Sequence, residues 1–554
     1  MIKSNTKILI LFIAVFIVLS GIPGFCQETG TVEEPNEDTI EAIINILRDK
    51  KILEPGEADK FIERYRKGIP AKTEKGTVVT IIPEQKGRAY IRQITDDVNE
   101  EIKKDAKKTR QDLDFMTDEL LTRSRLAESR IDELENRVLE STNGNKAAWA
   151  ERIRWGGDIR LRYQKDMYDD ENYSTLYDPD KNGIVNTTTD RTRYRYRVRL
   201  QVEADVMKKD PEINAGSVKM GARITTGSMD DPVSTNDTLG DYFNRDSAGI
   251  DRAYLKWTYV PTYMKWGRLP QVSVTAGRFS NPWFSSDLLW DNDVNFEGVA
   301  LNFLSDTLGE NPLKFFFTTG AFPLQEVEHY EKDKWLYAGQ VGVSYEKAMG
   351  LSAKVGIAYY DFKRVTGKFF NDQSGSYTNY SDPIFRQVGN ALFDINIDPN
   401  YETPALAGEY KLINITSRFD YDYWFPYHII LDLDYVKNVG FDVNEVAEKM
   451  NFLSYPDETQ GYQVKLTFGY PVPRGFGEWN TSLAYKYLGA DAVLDAFTDS
   501  DFHLGGTNAS GWVLSGQFGL SDRIYISGRW ISTNEIKAVP IAIDKFFLEL
   551  NASF

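Results

Sequence analysis

Residues 191–204 read RTRYRYRVRLQVEA, with Arg191, Arg193, Arg195, Arg197 and Arg199 at every second position and Thr192, Tyr194, Tyr196, Val198, Leu200 and Val202 between them. A guanidinium is a permanent cation with donors in a rigid fork, so a column of them suits the binding or screening of anions. WGGDIRLRYQ, upstream, carries Arg160 and Arg162 at the same spacing, and Lys219, Arg223, Arg252 and Lys256 follow in later alternating segments. Acid is distributed differently. The stretch FSNPWFSSDLLWDND (279–293) sets Asp287, Asp291 and Asp293 among Pro282, Trp283, Phe284 and Trp290. Carboxylates mixed with large aromatics suit a loop packed inside the protein. Facing the basic column across water, such a loop would create a transverse field that sorts solutes by charge and dipole. The plainer alternative is a rim loop anchored by its tryptophans.

Other chemistries find little support. The only histidines are His329, His428 and His503, far apart in sequence, and no HExxH, GxSxG or phosphate-loop pattern occurs. Neither an enzymatic activity nor a cofactor is expected. DPDKNG (178–183) matches the start of a calcium loop through Asp178, Asp180 and Asn182, but Thr189 stands where the bidentate acid belongs, so a plain turn is favoured over a metal site. A net charge of -17 and a pI near 4.9 argue against a chain-wide nucleic-acid binder.

The elements that must carry these residues follow from periodicity. A period of two is a strand with unlike faces; on a helix the same residues would wrap around the axis. Lys3 and Lys7 precede the apolar run 8–21, and residues 1–26 have the form of a secretory signal peptide ending near the single Cys26. An uncleaved anchor and a lipoprotein signal are the alternatives. The interval 28–75 reads as a helical hairpin broken at Pro55-Gly56, and 86–145 as a coiled coil whose seam includes Val98, Ile102, Leu113, Leu120, Ile131 and Val138. A lone charged helix is the competing reading of that seam.

From Trp149 the pattern changes to alternating aromatic and β-branched segments separated by Gly, Asn, Asp, Pro and Ser. Strands are expected near 153–165, 192–206, 215–227, 249–261, 271–278, 295–304, 312–321, 335–346, 350–362, 410–424, 427–437, 460–470, 477–488, 511–518, 522–533 and 544–554. Long and short connections are expected to alternate strictly, the longest covering about 363–409. About 16 antiparallel strands with two unlike rims predict an all-β transmembrane barrel over 149–554, because lipid admits only helices and closed barrels. An arginine facing the bilayer midplane costs roughly 2–4 kcal/mol in a barrel. The basic residues are therefore expected to line the interior. In DKFFLELNASF, Phe546, Leu548, Leu550, Ala552 and Phe554 share the lipid face, while Phe547 is the exception on an otherwise wet face.

WGGDIRLRYQ, RTRYRYRVRL, GARITTGSMDDPVSTNDTLGD, IDRAYLKW, AGRFSNPWFSSDLLWDNDVNFEGVA and the terminal Phe together resemble the bacterial putative-porin family, most specifically over 191–303. That resemblance implies an outer-membrane diffusion channel, with lipid as partner; the amino-terminal helices are then expected in the periplasm, and 279–293, joining the fifth and sixth strands where general porins fold a loop into the lumen, is expected to be the constriction. Phe554 resembles the terminal signal read by the outer-membrane assembly machinery. A homotrimer is expected by analogy with porins of this size. Two further readings stand beside passive diffusion: a structural tether, in which the coiled coil reaches the cell wall or a periplasmic partner, and an anion- or phosphate-selective channel. The arginine ladder resembles that of phosphate-selective porins, without their lysine cluster.

Overall fold

The computed structural model describes residues 152–178, 183–208, 216–261, 270–305, 312–327, 332–346, 350–373 and 378–554. The expected signal peptide, helical hairpin and coiled coil lie outside these residues. Sixteen long strands form the wall: β1 (Ile153–Tyr168), β2 (Arg191–Met207), β3 (Ser217–Thr226), β4 (Ala248–Tyr259), β5 (Gln271–Ser280), β6 (Asn295–Leu304), β7 (Leu313–Gln325) and β8 (Lys334–Tyr345). The second half comprises β9 (Leu351–Lys363), β10 (Lys411–Trp424), β11 (Tyr427–Asn438), β12 (Gln460–Gly469), β13 (Trp479–Leu488), β14 (Ala509–Gly519), β15 (Ile524–Glu535) and β16 (Ala542–Ser553). Each pairs antiparallel with its sequence neighbours, and β1 closes on β16 with Arg160 opposite Asn551 and Arg162 opposite Glu549. Closure removes the unpaired edges that lipid would not tolerate. All sixteen segments expected from periodicity are present, displaced by at most a few residues.

Strict alternation of connection length does not hold. On the long-loop rim, 326–333 and 536–541 are shorter than 260–270 on the other rim. Pairing continues further outward there: β7 runs to Gln325, beyond the expected 321, and β15 and β16 extend to Glu535 and back to Ala542. The remaining connections on that rim, 364–410 above all, are long as expected.

Ile159, Leu161, Leu200, Met220, Leu255, Val341, Ile357, Leu466 and Leu548 point outward and stay about half exposed in the isolated chain, as lipid contacts do. Stacked pairs such as Trp335 with Tyr337 and Trp257 with Tyr259 stand at opposite rims, where amphipathic rings meet the headgroups. Among the described residues no helix is long and apolar enough to cross a membrane; the crossing is made by strands.

The interior has two unlike sectors. Inward side chains of β6–β13 include Phe296, Ala300, Phe322, Leu336, Tyr360, Phe362, Leu412, Val436 and Leu488, all buried. Residues 281–294 fold onto them from the long-loop rim, burying Trp283, Leu288, Leu289 and Trp290. Trp290 meets Phe296 with ring centroids 4.8 Å apart, and Trp283 meets Tyr360 edge-on at 5.5 Å. A hydrophobic core thus lies inside the barrel, and the charged sector occupies β1–β4, β15 and β16.

The charged interior as candidate functional site

Period-two alternation turns Arg193, Arg195, Arg197 and Arg199 of β2 inward together with Asp158, Arg160, Arg162, Gln164 and Asp166 of β1. The register sets Arg160 opposite Arg197 and Arg162 opposite Arg195, so like charges face each other across the ladder. Such an arrangement needs carboxylates nearby, because an unpaired buried charge is costly. Arg193 donates to Asp166 at 2.7 Å. Arg197 and Arg199 each donate to Asp158 at 2.8 Å, and lie 3.6 and 3.5 Å from Asp293. Arg162 donates through Nη1 to Asp501 at 2.9 Å and through Nε to Glu549 at 2.7 Å.

Arg195 and Arg160 differ from these. Arg195 donates to the Asn236 carbonyl at 3.0 Å and the Ser234 hydroxyl at 3.4 Å, both neutral, and makes no ion pair among the described residues. Arg160 donates to the Asn236 side-chain oxygen, and its nearest carboxylate, Glu549, lies 3.8 Å away. Within the facing ladders of β1 and β2, positive charge is least compensated at this pair.

The flanking cations are spread more widely. Arg223 donates to Asp251, with its Nε 3.0 Å from each carboxylate oxygen, and Arg252 donates to Asn295 at 2.7 Å. Lys219 and Lys256 are opposite one another in register and make no ion pair among the described residues. The basic wall therefore continues through β3 and β4 but loses its regular carboxylate partners.

The three aspartates of 281–294 take three separate directions. Asp287 forms an ion pair of 3.3 Å with Lys486, a β13 residue only 2 % exposed. Asp291 accepts the Ser500 N–H at 3.1 Å, and Asp293 accepts the Thr235 hydroxyl at 2.9 Å while facing Arg197 and Arg199. The loop is also pinned across the lumen: Ser286 donates its hydroxyl to Asp434 at 2.6 Å, and Gln340 grips the Phe284 backbone at 2.9 and 2.8 Å. Burial and the neighbouring Asp499 and Asp293 carboxylates push Asp291 up to about 8.

A second inward segment, 489–508, was not read from sequence as part of the site. It brings Asp501 to Arg162 and Arg529, while Lys545 donates to the Asp501 carbonyl at 3.0 Å. Burial opposes ionisation of Asp501, but Arg162, Arg529 and Lys545 outweigh it and hold the carboxyl well below its ordinary range. Beneath them lies Phe547, with the Arg162 and Arg529 guanidinium carbons 4.9 and 4.6 Å from its ring centroid. The apolar exception on the wet face of the last strand is thus a platform for two cations. Arg529 and Lys545 sit on the inward parity of β15 and β16, a signal that was available in the sequence. The depth of 489–508 was not, since its Asp, Gly and Ser content reads as solvent loop.

For the calcium candidate, Asp178 pairs through its backbone with Gly183 in a two-residue rung, and Asp180 and Asn182 lie outside the described residues. Thr189 donates its N–H to Asn186 at 2.9 Å, a local turn contact. Among the described residues no acidic, His or Cys cluster could hold a metal. At the carboxy terminus, Phe554 exchanges backbone hydrogen bonds with Gly157 at 3.1 and 3.3 Å. Its ring covers the space that a Cβ on Gly157 would need, 2.8 Å from Phe554 Cζ.

Several solved outer-membrane proteins are similar. The channel DcaP of Acinetobacter baumannii has 11% identity over 73% of this chain and 97% of its own, with a TM-score of 0.39. OprB of Pseudomonas putida has 13% identity over 73% and 95%, with a TM-score of 0.39. OmpF of Salmonella typhi has 10% identity over 73% and 97%, with a TM-score of 0.37. No curated protein matches in sequence. The putative-porin family model, by contrast, matches residues 37–554, nearly the whole chain. With its closed sixteen-stranded wall and charged interior, the chain belongs to the putative porin family of outer-membrane β-barrels.

Proposed function

We propose that the barrel is a passive diffusion channel for small hydrophilic and charged solutes, with Arg160, Arg162, Arg193, Arg195, Arg197, Arg199, Lys219, Arg223, Arg252 and Lys256 as lining. In this reading the loop bearing Asp287, Asp291 and Asp293 forms the constriction. The observation that carries it is the meeting of an arginine wall with the loop carboxylate of Asp293 inside a closed barrel, Arg197 and Arg199 lying 3.6 and 3.5 Å from it. The loop carboxylate touches the basic wall instead of facing it across water, so the charge felt by a passing solute is that of the cations it leaves uncompensated. Because Arg195 and Arg160 lack a close carboxylate, the wall favours anions at mid-height. The anion-leaning form of the channel is therefore preferred to a neutral sieve. Assembly through the Phe554 strand and association as a homotrimer belong to the same proposal.

The test is the reversal potential of the reconstituted protein in a salt gradient. Arg195→Ala combined with Arg197→Ala is expected to shift it toward cation preference. An unshifted potential in a conducting variant refutes the lining role of these arginines, and absence of current from well-folded wild-type protein refutes the channel.

A further inference from the structure

On the short-turn side of the inward loop, a cavity of about 310 Å³ lies between that loop and the wall of β5–β9. Among the described residues, Lys354 is the only charged side chain lining it. Its ammonium lies 4.4 Å from the centroid of Phe284 and 4.8 Å from that of Phe316, and it makes no ion pair among the described residues. Arg418, opposite Lys354 in register, is already held by Asp432 at 2.6 Å. Glu346, whose charge acts on Lys354 from further off, is itself paired with Lys314 at 2.6 Å, so among the described residues the cavity's cation rests on two aromatic faces with no carboxylate in contact.

The surroundings are built to hold those faces in place. Phe284 and Phe316 stand at 89° with centroids 6.2 Å apart. Gln340, 1 % exposed, fixes the Phe284 backbone through both ends of its amide. The paired glycines Gly342 and Gly356 make room for the two rings: a Cβ on Gly342 would meet Phe316 Cζ at 2.1 Å, and one on Gly356 would meet Phe284 Cδ1 at 3.2 Å. Across the cavity, Asn302 donates to the Thr318 hydroxyl at 2.9 Å, which leaves its second amide hydrogen and its oxygen for a ligand.

We propose that this cavity is a binding subsite for small organic anions, a carboxylate joined to a compact apolar body such as a single ring. The carboxylate would accept from the Lys354 ammonium, a charge-assisted hydrogen bond, while the apolar body lies against Phe284, Phe316 and Pro282. The amide of Asn302 would orient the polar end. This identifies a solute class for the proposed channel, and so rests on that reading.

Benzoate is the probe, with acetate lacking the ring and benzylammonium reversing the charge. Saturation-transfer NMR on the full chain in detergent micelles measures binding directly, and planar-bilayer current measures its effect on the pore. Benzoate is expected to bind saturably and to reduce the current, with both midpoints raised about tenfold by Lys354→Met, the loss of one charge-assisted hydrogen bond. Phe316→Ala should raise them too, and Lys354→Arg should restore binding in part. Acetate and benzylammonium should bind far more weakly. Equal benzoate binding to wild type and to folded Lys354→Met or Lys354→Gln overturns the subsite. Lys354-dependent binding without any current upholds the subsite and overturns the channel instead.

Discussion

Replacing Asp501 by Asn removes one negative charge from a cluster in which it faces Arg162 and Arg529. The side chain keeps its shape and one acceptor, so the perturbation is almost purely electrostatic. At an effective dielectric of about 20, a pair of unit charges 2.9 Å apart attracts by about 6 kcal/mol, part of which repays desolvation. Breaking a buried pair while its partner stays charged typically costs about 3–5 kcal/mol. Arg162 is only 4 % exposed, but it keeps Glu549 at 2.6 Å, which places the expected loss near the lower bound. Chemical denaturation of the refolded barrel, followed by tryptophan fluorescence, should show Asp501→Asn destabilised by about 3 kcal/mol. In an Arg529→Met background the same change should cost distinctly less, because one of the two stranded cations is gone. Single-channel conductance should rise as well, since 489–508 loses a tether. A loss below about 0.5 kcal/mol, or full additivity with Arg529→Met, refutes the view that this cluster holds the segment in the lumen.

Three further outcomes are expected. Asp291 has a folded-state pKa of about 8, above its unfolded value, so its contribution is complete below the unfolded pKa and is lost as pH rises through about 8. Stability should decline between roughly pH 4 and 8, and Asp291→Asn should flatten that slope in pH-dependent denaturation. Trp290→Ala, which empties a site packed by Phe296, Tyr360, Phe362 and Phe497, should cost about 3–5 kcal/mol and widen the pore, measured by denaturation and by conductance. A chain lacking residues 28–145 should conduct ohmically at the wild-type level in planar bilayers; loss of current from a folded barrel would favour a role for the amino-terminal segment in the channel itself.

The wall was legible because a membrane barrel obeys one rule, apolar outward and polar inward, and RTRYRYRVRL states it without ambiguity. The rule also predicts the inward parity of Arg223, Arg252, Lys256 and Arg529. It fails for β6–β9, where FFFTTGAF and VGIAYYDF are apolar on both parities. Strands covered on both faces read as continuous hydrophobic runs. There the second apolar face belongs to the inward loop, as Phe322 and Tyr360 show at 2 % and 0 % exposed. The loop itself was readable from tryptophans mixed with carboxylates. Its partners were not, because the contacts of Asp287 with Lys486 and of Ser286 with Asp434 join residues 199 and 148 positions apart. No periodicity encodes such pairs. The ion partners of Arg162 are more remote still, Asp501 339 and Glu549 387 positions away.

The apolar inner sector bears on the journey of the chain before it reaches the membrane. A strand such as β2 has one greasy face and can turn its arginines to water while it waits. The halves of β6–β9 nearer the long-loop rim have no such side: Phe317 awaits lipid while Phe296, Phe322, Tyr360 and Phe362 await the folded-in loop. Until both coverings arrive, this stretch presents adhesive surface in two directions, with backbone groups still unpaired. A carrier escorting the chain through water must therefore shield it on both sides, and the hairpins between β6 and β9 are where delayed insertion would turn first into aggregation.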